Sequence, residues 1–278
     1  MSISLPTYTR REAPLLGRSH RVRAIIYAGL RREFRRPAAV VVMALGILST
    51  TAFGIVFVFL APLLIPGQAL DLSFFYIPAS NFLVLLFTIL MASIVGSGLI
   101  ADDIGSMALT LYLSRPITHA DYLTAKAAIL GPLIAMIAAL PLLLTPFVAA
   151  LLGAFPWDVA LLALGIGIGL GALFTAFFTA VTLLLSSLTS RKAYAAAGVF
   201  AIASGLTIPS ELLASAIGEP AILYLSPWQD FLAVARAAYG AAQGPIDWAP
   251  GLAILVSATV LAALVTYVRM KALEVVTG

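Results

Sequence analysis

The sequence predicts an all-α membrane protein with six transmembrane helices, and its composition, its hydropathy and the placement of its charges all support that fold class. Apolar residues make up 62% of the chain and charged residues 10%, whereas soluble chains carry about 25% charged residues. The mean hydropathy is +1.08. The apolar residues also occur in runs of the roughly 20 residues that a helix needs to cross a bilayer. No stretch between these runs is long enough to form a soluble domain.

The N-terminal segment, residues 1–37, is polar and rich in arginine. Within it, apolar side chains recur at helical spacing among the arginines, at Val22, Ile25, Ile26, Leu30 and Phe34. This pattern predicts an amphipathic helix that lies in the inner membrane interface. A plain basic anchor with no further role is an equally acceptable interpretation.

The transmembrane domain, residues 38–268, divides into six predicted spans, and residues 269–278 form a short tail. The third span is interrupted by three prolines, which a membrane helix tolerates when neighbouring helices satisfy the freed carbonyls. The fifth contains Pro209, so we also consider that it ends near Ile208 and is followed by a short surface helix. The predicted spans are 38–65, 74–100, 123–152, 159–188, 194–217 and 250–268.

The placement of basic residues predicts the orientation of the spans. With both termini in the cytoplasm, every Lys and Arg except Arg236 lies on the cytoplasmic side, as the positive-inside rule requires. We therefore predict a multi-pass protein of the cell membrane with cytoplasmic N and C termini. Between the fifth and sixth spans, the outer segment 218–249 contains three prolines and is expected to form short surface or re-entrant helices.

The connection between the second and third spans, residues 101–122, is the most informative stretch. Ile104, Met107 and Leu111 fall on one stripe of a short helix, and a break follows at Arg115 because the residue before a proline is disfavoured in a helix. Thr118 then begins a Thr-x-x-Asp capping box, which starts a new helix. A helix, a rigid corner and a capped helix suit a loop that docks on a soluble partner.

Asp102 and Asp103 lie near the start of this connection. Two adjacent carboxylates can bind a cation. We favour a different interpretation, in which they lie at the start of the docking helix, where the helix dipole stabilises negative charge.

The same stretch resembles the central motif of ABC-2 type permeases, the transmembrane subunits of ABC transporters. Ser106 and His119 depart from that motif, which has threonine and a basic residue at these positions. The residues that we assign to the ATPase-coupling loop are Asp102, Asp103, Gly105, Ser106, Leu111, Ser114, Arg115, Pro116 and His119. The positions that match the motif are Asp102 or Asp103, Gly105, Leu111, Leu113, Ser114, Pro116, Ile117, Thr118, Tyr122, Leu123 and Lys126. The basic element 31–36 and the segment 224–228 are also similar to this family.

The resemblance implies a permease subunit that dimerises, with a second copy or a sister permease, and pairs with two separate ATP-binding subunits. The loop between the second and third spans then docks on the ATPase, and export is the commoner direction of transport. The chain has no Gly-x-x-x-x-Gly-Lys-(Ser/Thr) phosphate loop. We therefore expect ATP and Mg²⁺ to be bound by the partner, with no enzyme activity and no cofactor in this chain.

Several other functional classes find little support in the sequence. It has no cysteine and only two histidines, far apart, so neither a metal centre nor a Ser-His-Asp site can be assembled. No basic face with interleaved aromatic residues suggests nucleic-acid binding. The partners expected are protein subunits and the lipid bilayer.

Polar residues inside the spans leave alternatives open. On the second span, Asn81, Thr88, Ser93 and Ser97 form a stripe that serves either hydrogen bonding between helices or a polar translocation path. Glu211 is either a substrate or proton contact or, as we favour, part of the first turn of a short helix. Glu211, Asn81, Ser93 and Ser97 are the candidates for the translocation path.

Gly167 and Gly171 form a small-xxx-small pair on the fourth span, which indicates close helix packing. The sequence does not decide whether the contact lies within the subunit or across a dimer.

The main alternative function is a stand-alone secondary carrier or channel without an ATPase. Such a protein is expected to contain several intramembrane charges or an inverted repeat. A membrane-embedded enzyme needs acids, histidines or serines clustered at one depth. The sequence offers neither feature, so the permease interpretation is favoured.

Overall fold

A computed structural model of the chain describes residues 17–64, 71–108 and 117–277. Within these ranges the backbone is helical with connecting turns, and it contains no β-strand. The principal helices are α1 Arg18–Glu33, α2 Pro37–Leu64, α3 Phe82–Gly105, α4 His119–Leu151, α5 Trp157–Leu188, α6 Lys192–Ile217, α7 Pro227–Tyr239 and α8 Trp248–Thr277.

Six of these helices are long and apolar enough to cross a membrane, namely α2, α3, α4, α5, α6 and α8. This confirms the all-α fold class and the predicted number of helices able to span a membrane. Only a small part of α2 is buried against the other helices, whereas most of α3 is enclosed by them. The chain is thus a multi-pass helical bundle with α3 near its centre and α2 at its edge.

Helix α4 begins at His119, directly after its N-cap residue Thr118. The Thr118 hydroxyl accepts a hydrogen bond from the Asp121 N–H at 3.2 Å, and the Asp121 carboxylate accepts one from the Thr118 N–H at 3.1 Å. This confirms the capping box. The interruption predicted at the three prolines does not occur, because α4 remains helical through all of them. Each proline removes only one backbone donor, and the rest of the helix stays hydrogen-bonded.

Helix α3 differs from the predicted second span at both ends. It begins at Phe82, later than the predicted start at residue 74, because the Asn81 side chain accepts a hydrogen bond from the Leu83 N–H at 3.0 Å and caps the helix. A 3₁₀ turn and one helical turn precede it. The helix contains a π turn at Ala92–Gly96 and then continues to Gly105.

Helix α6 continues through Pro209 and ends at Gly218, whose φ is 77°. Glu211 therefore lies inside a long helix, and its predicted position in the first turn of a separate short helix is wrong. The hydroxyl of Thr207, two residues before the proline, donates to the Ala203 carbonyl at 2.6 Å. Pro209 removes only one backbone donor, and α6 remains helical as far as Ile217.

The two glycines of the small-residue pair lie where α5 contacts α4. A Cβ at Gly167 would lie 2.8 Å from the Leu142 carbonyl oxygen, and a Cβ at Gly171 would lie 2.5 Å from the Ala139 Cβ. Both distances are too short for a larger residue. The structure therefore places this close packing within the subunit.

Helix α7 packs into the half of the bundle away from the α3–α4 connection. Its Trp228 and Phe231 contact Phe174 of α5, with ring centroids 6.1 and 4.9 Å apart. Trp228 and Phe231 also stack on each other at 5.7 Å. This aromatic cluster holds α7 against the long helices.

Candidate functional site

A buried ion pair joins the last turn of α3 to the first turns of α4. The Lys126 Nζ lies 2.6 Å from Asp103 Oδ2, and the Tyr122 hydroxyl donates to the same oxygen at 2.7 Å. All three residues are buried, and the ammonium also lies 5.1 Å from the centre of the Tyr122 ring. A buried charge is stable only when it is paired and hydrogen-bonded. The arrangement therefore fixes the two helix ends relative to each other.

Helix α1 is attached to the same place. The Arg18 guanidinium binds the Asp121 carboxylate through two nitrogens, at 2.8 and 2.9 Å. Further along, a Cβ at Gly29 would overlap the side chain of Ile129 in α4. Because the bidentate pair is exposed, it contributes little to stability, and its main effect is to orient α1 relative to α4. Helix α1 thus lies directly along the start of α4.

Asp102 and Asp103 lie in the last turn of α3. The prediction that they start a docking helix is therefore wrong, because α3 continues past Ile100 instead of ending there. At a helix C-terminus the dipole disfavours negative charge, and Lys126 offsets this for Asp103. Asp102 is exposed.

The end of α3 approaches the turn between α5 and α6 closely. A Cβ at Gly105 would lie 2.9 Å from the Ser190 carbonyl oxygen, which leaves room only for glycine. Ser106 follows, and its hydroxyl donates to the Asp102 carbonyl at 2.7 Å. Met107 has a φ of 57° and lies beyond the end of α3 at Gly105, so Ile104 and Met107 do not share a helix as predicted.

Part of the predicted loop falls beyond the described ranges. Leu111, Ser114, Arg115 and Pro116 lie outside the described residues. His119 is the first residue of α4 and is partly buried.

The polar residues predicted on the second span do not form one continuous stripe. Asn81 caps the start of α3, and Thr88 is fully buried further along the same helix. Ser93 lies in the π turn, where its carbonyl accepts a hydrogen bond from the Ser97 hydroxyl at 2.6 Å. The hydrogen bonds that the Asn81 and Ser97 side chains make are internal to this segment of the chain.

Glu211 is exposed on α6 and accepts a hydrogen bond from the Gln229 side chain of α7 at 2.6 Å. Among the described residues, no hydrogen bond connects Glu211 to Asn81, Ser93 or Ser97. The four candidates for the translocation path are therefore not brought together at one site within the subunit.

A buried carboxylate on α7 was not predicted. Asp230 is fully buried, and neither of its carboxylate oxygens has a hydrogen-bond partner among the described residues. Burial raises the pKa of Asp230 to about 7. The sequence does contain an indication of this burial, since Asp230 lies among the large apolar residues Trp228, Phe231 and Leu232.

A groove of about 670 Å³ runs between α4, α5 and α8. Nearly all of its lining is apolar and most of the side chains are small, with the hydroxyls of the threonines and of Tyr267 as the polar groups. Representative lining residues are Ala127, Gly131, Ala135, Gly171, Thr175 and Thr179.

In the parts of the chain that the structure describes, no group of three or more acidic or histidine side chains could hold a metal ion.

No protein-family model matches the sequence, and no curated protein matches it either. The contacts at the α3–α4 end attach α1, α3 and α4 to one another around one connection.

Proposed function

We propose that this chain is the transmembrane permease subunit of an ABC transporter of the ABC-2 type. One observation carries the proposal: residues of the α3–α4 motif that sequence resemblance singles out also meet in space. Asp103, Tyr122 and Lys126 form the buried ion-pair cluster, and Gly105 lies against the α5–α6 turn. A force on the connection between α3 and α4 would therefore reach α3, α4 and the α5–α6 turn at once.

The proposal includes an orientation. The α3–α4 end carries the basic residues of α1 together with Arg191 and Arg269, whereas Asp158 and Asp247 lie toward the opposite end. By the positive-inside rule the α3–α4 end faces the cytoplasm. Both termini then lie in the cytoplasm, α1 lies in the inner interface, and α7 forms a re-entrant helix on the outer side of the cell membrane.

In this function the chain does not hydrolyse ATP. Two copies of a separate ATP-binding subunit hold ATP and Mg²⁺, and two permease chains, identical or sister, form the path. Closure of the ATPases presses on the connection between α3 and α4 and tilts both helices. We propose export as the direction of transport.

The decisive experiment is to purify the tagged full-length chain from its native membrane in mild detergent and identify the co-purifying proteins by mass spectrometry. We expect a stoichiometric ATP-binding protein and Mg-ATP hydrolysis by the complex. Asp102→Arg reverses an exposed charge at the proposed docking end and should release this partner. Asp158→Arg reverses an exposed charge at the other end and should retain it.

Two outcomes contradict the proposal. Recovery of the chain without any ATP-binding protein, in several mild detergents, favours a stand-alone carrier or channel. If the Asp102→Arg variant retains the ATPase and the Asp158→Arg variant loses it, the docking site lies at the Asp158 end of the bundle and not at the α3–α4 end.

A further inference from the structure

Helix α3 consists of two helical halves that meet at an irregular joint. The upper half is Phe82–Met91 and the lower half is Gly98–Gly105. Between them, the π turn Ala92–Gly96 is closed by a hydrogen bond from the Ser97 N–H to the Ala92 carbonyl at 2.8 Å. We call residues 92–97 the α3 joint. A new helix that starts at Gly98 lacks partners for its first backbone N–H groups.

A side chain from another helix supplies two of those partners. The hydroxyl oxygen of Ser186, in α5, accepts hydrogen bonds from the N–H groups of Ile100 and Ala101, each at 3.0 Å. The same hydroxyl donates to the Ser97 carbonyl at 2.7 Å. A hydroxyl has one donor and two acceptor positions, so Ser186 uses its full capacity on the backbone of α3. It is also fully buried.

The contact between α3 and α5 is close at this point. A Cβ at Gly96 would overlap the Thr182 methyl group, which lies one turn before Ser186, and would also press on Leu130 of α4. The joint therefore rests directly on α5, with no side chain of its own at Gly96 to hold the two helices apart.

The lower half of α3 is attached differently from the upper half. Its far end is joined to α4 by the Asp103–Lys126 pair and touches the α5–α6 turn at Gly105. The upper half packs on α2 and α4 through uncharged side chains. Helices bend where the regular backbone ladder is interrupted, and π turns are frequent at such places.

We infer that Ser186 is a positioning residue that acts as the pivot of α3, about which the lower half turns relative to the upper half. The lower half has eight residues and is about 12 Å long at 1.5 Å per residue. A turn of about 10–15°, smaller than a sharp kink, moves its far end by roughly 2–3 Å. Any displacement of the α3–α4 end passes to the upper half through this joint.

The pivot can be tested by distance measurements between nitroxide labels on the full-length chain in lipid nanodiscs. The sequence contains no cysteine, so labels can be placed at introduced cysteines without other changes. The pair Asp102→Cys with Ile168→Cys reports on the lower half, and Phe82→Cys with Ile168→Cys reports on the upper half. All three positions are exposed.

Ser186→Ala removes the hydroxyl that completes the joint. We expect the 102–168 distance to shift or broaden by roughly 2–3 Å, the length derived from the lower half, while the 82–168 distance stays unchanged. The matched control is Ser187→Ala, since Ser187 is equally buried but donates only to the Leu184 carbonyl of its own helix. It should leave both distances as in the unmodified chain.

An unchanged 102–168 distance in Ser186→Ala, or an equal change in both distances, would overturn the inference, because the second result indicates general loosening of the bundle. If Ser186→Ala does not fold, the inference is tested by the two distance distributions of the labelled chain with Ser186 intact. The 102–168 distribution must then be broader than the 82–168 distribution, and equal widths refute the pivot. No ATP-binding partner takes part, so this test stands or falls independently of the proposed function.

Discussion

The buried ion pair between α3 and α4 makes a quantitative prediction about stability. The Asp103 and Lys126 side chains are only 11% and 4% exposed, and their charged atoms are 2.6 Å apart. If Lys126 is removed alone, the buried Asp103 carboxylate loses its 2.6 Å cationic partner, and if Asp103 is removed alone, the buried Lys126 ammonium loses its 2.6 Å carboxylate partner. The informative variants are Lys126→Met, Asp103→Asn and the two combined.

The size of the effect follows from burial. Breaking a buried pair from one side costs about 3–5 kcal/mol, whereas replacing both members with neutral residues is often nearly neutral. Each single variant should lose about 3–5 kcal/mol of unfolding free energy. The double variant should lose no more than about 2 kcal/mol, because Tyr122 can still donate to the amide oxygen that replaces the carboxylate.

The assay is reversible unfolding in mixed detergent micelles, followed by far-ultraviolet circular dichroism and tryptophan fluorescence. A double-mutant cycle gives the interaction energy, which we expect to exceed about 3 kcal/mol, the lower limit for breaking a buried pair from one side. Lys271→Met is the matched control, since Lys271 is exposed and such changes stay within about 0.5 kcal/mol.

Additive effects would refute this reasoning. If each single variant loses less than about 1 kcal/mol, as exposed pairs do, and the double variant loses their sum, then Asp103 and Lys126 do not form a buried link. The attachment of α3 to α4 would then depend on apolar packing alone.

Two further predictions concern α5 and α7. Gly167→Ala places a methyl group 2.8 Å from the Leu142 carbonyl oxygen and should destabilise the bundle by about 1–3 kcal/mol. Gly165→Ala, with no atom near its Cβ position, should not lower the unfolding free energy in the same micelle assay. The raised pKa of Asp230 means that the folded state keeps a proton that the unfolded state releases between about pH 4 and pH 7. Stability should therefore fall as pH rises through this window, by up to about 4 kcal/mol, and level off above it. Asp230→Asn should remove that dependence of the melting temperature on pH, and a slope that persists in the variant would assign it to another group.

The sequence predicts the number and approximate position of the spans because hydropathy is summed over many residues. Helix ends are harder to predict, since they depend on single side chains. The capping box at Thr118 marks the start of α4 correctly, although the apolar run begins later. The start of α3 was missed because Asn81 was assigned to the interior of a span, when its side chain caps a helix.

Features that depend on pairing between distant residues were not predictable in the same way. The local sequence around Asp103 does not show that α3 continues to this residue. The ion pair that holds it there is made with Lys126, which lies on the far side of the α3–α4 connection. Ser186 is one of two adjacent serines in an apolar run. Only the three-dimensional path of α3 shows that the Ser186 hydroxyl, on α5, accepts hydrogen bonds from the backbone of α3.

The lengths of the central helices determine where the ion-pair cluster lies relative to the bilayer. Helices α4 and α5 have 33 and 32 residues, about 50 Å at 1.5 Å per residue, whereas the hydrocarbon core is about 30 Å thick. An excess of about 20 Å must be absorbed by tilt or by extension into the headgroup layers. Shared equally, it leaves the first seven residues or so of α4 outside the hydrocarbon. The cluster around Lys126 then lies at the boundary between headgroups and acyl chains, so the thickness of the host membrane sets how much water reaches it.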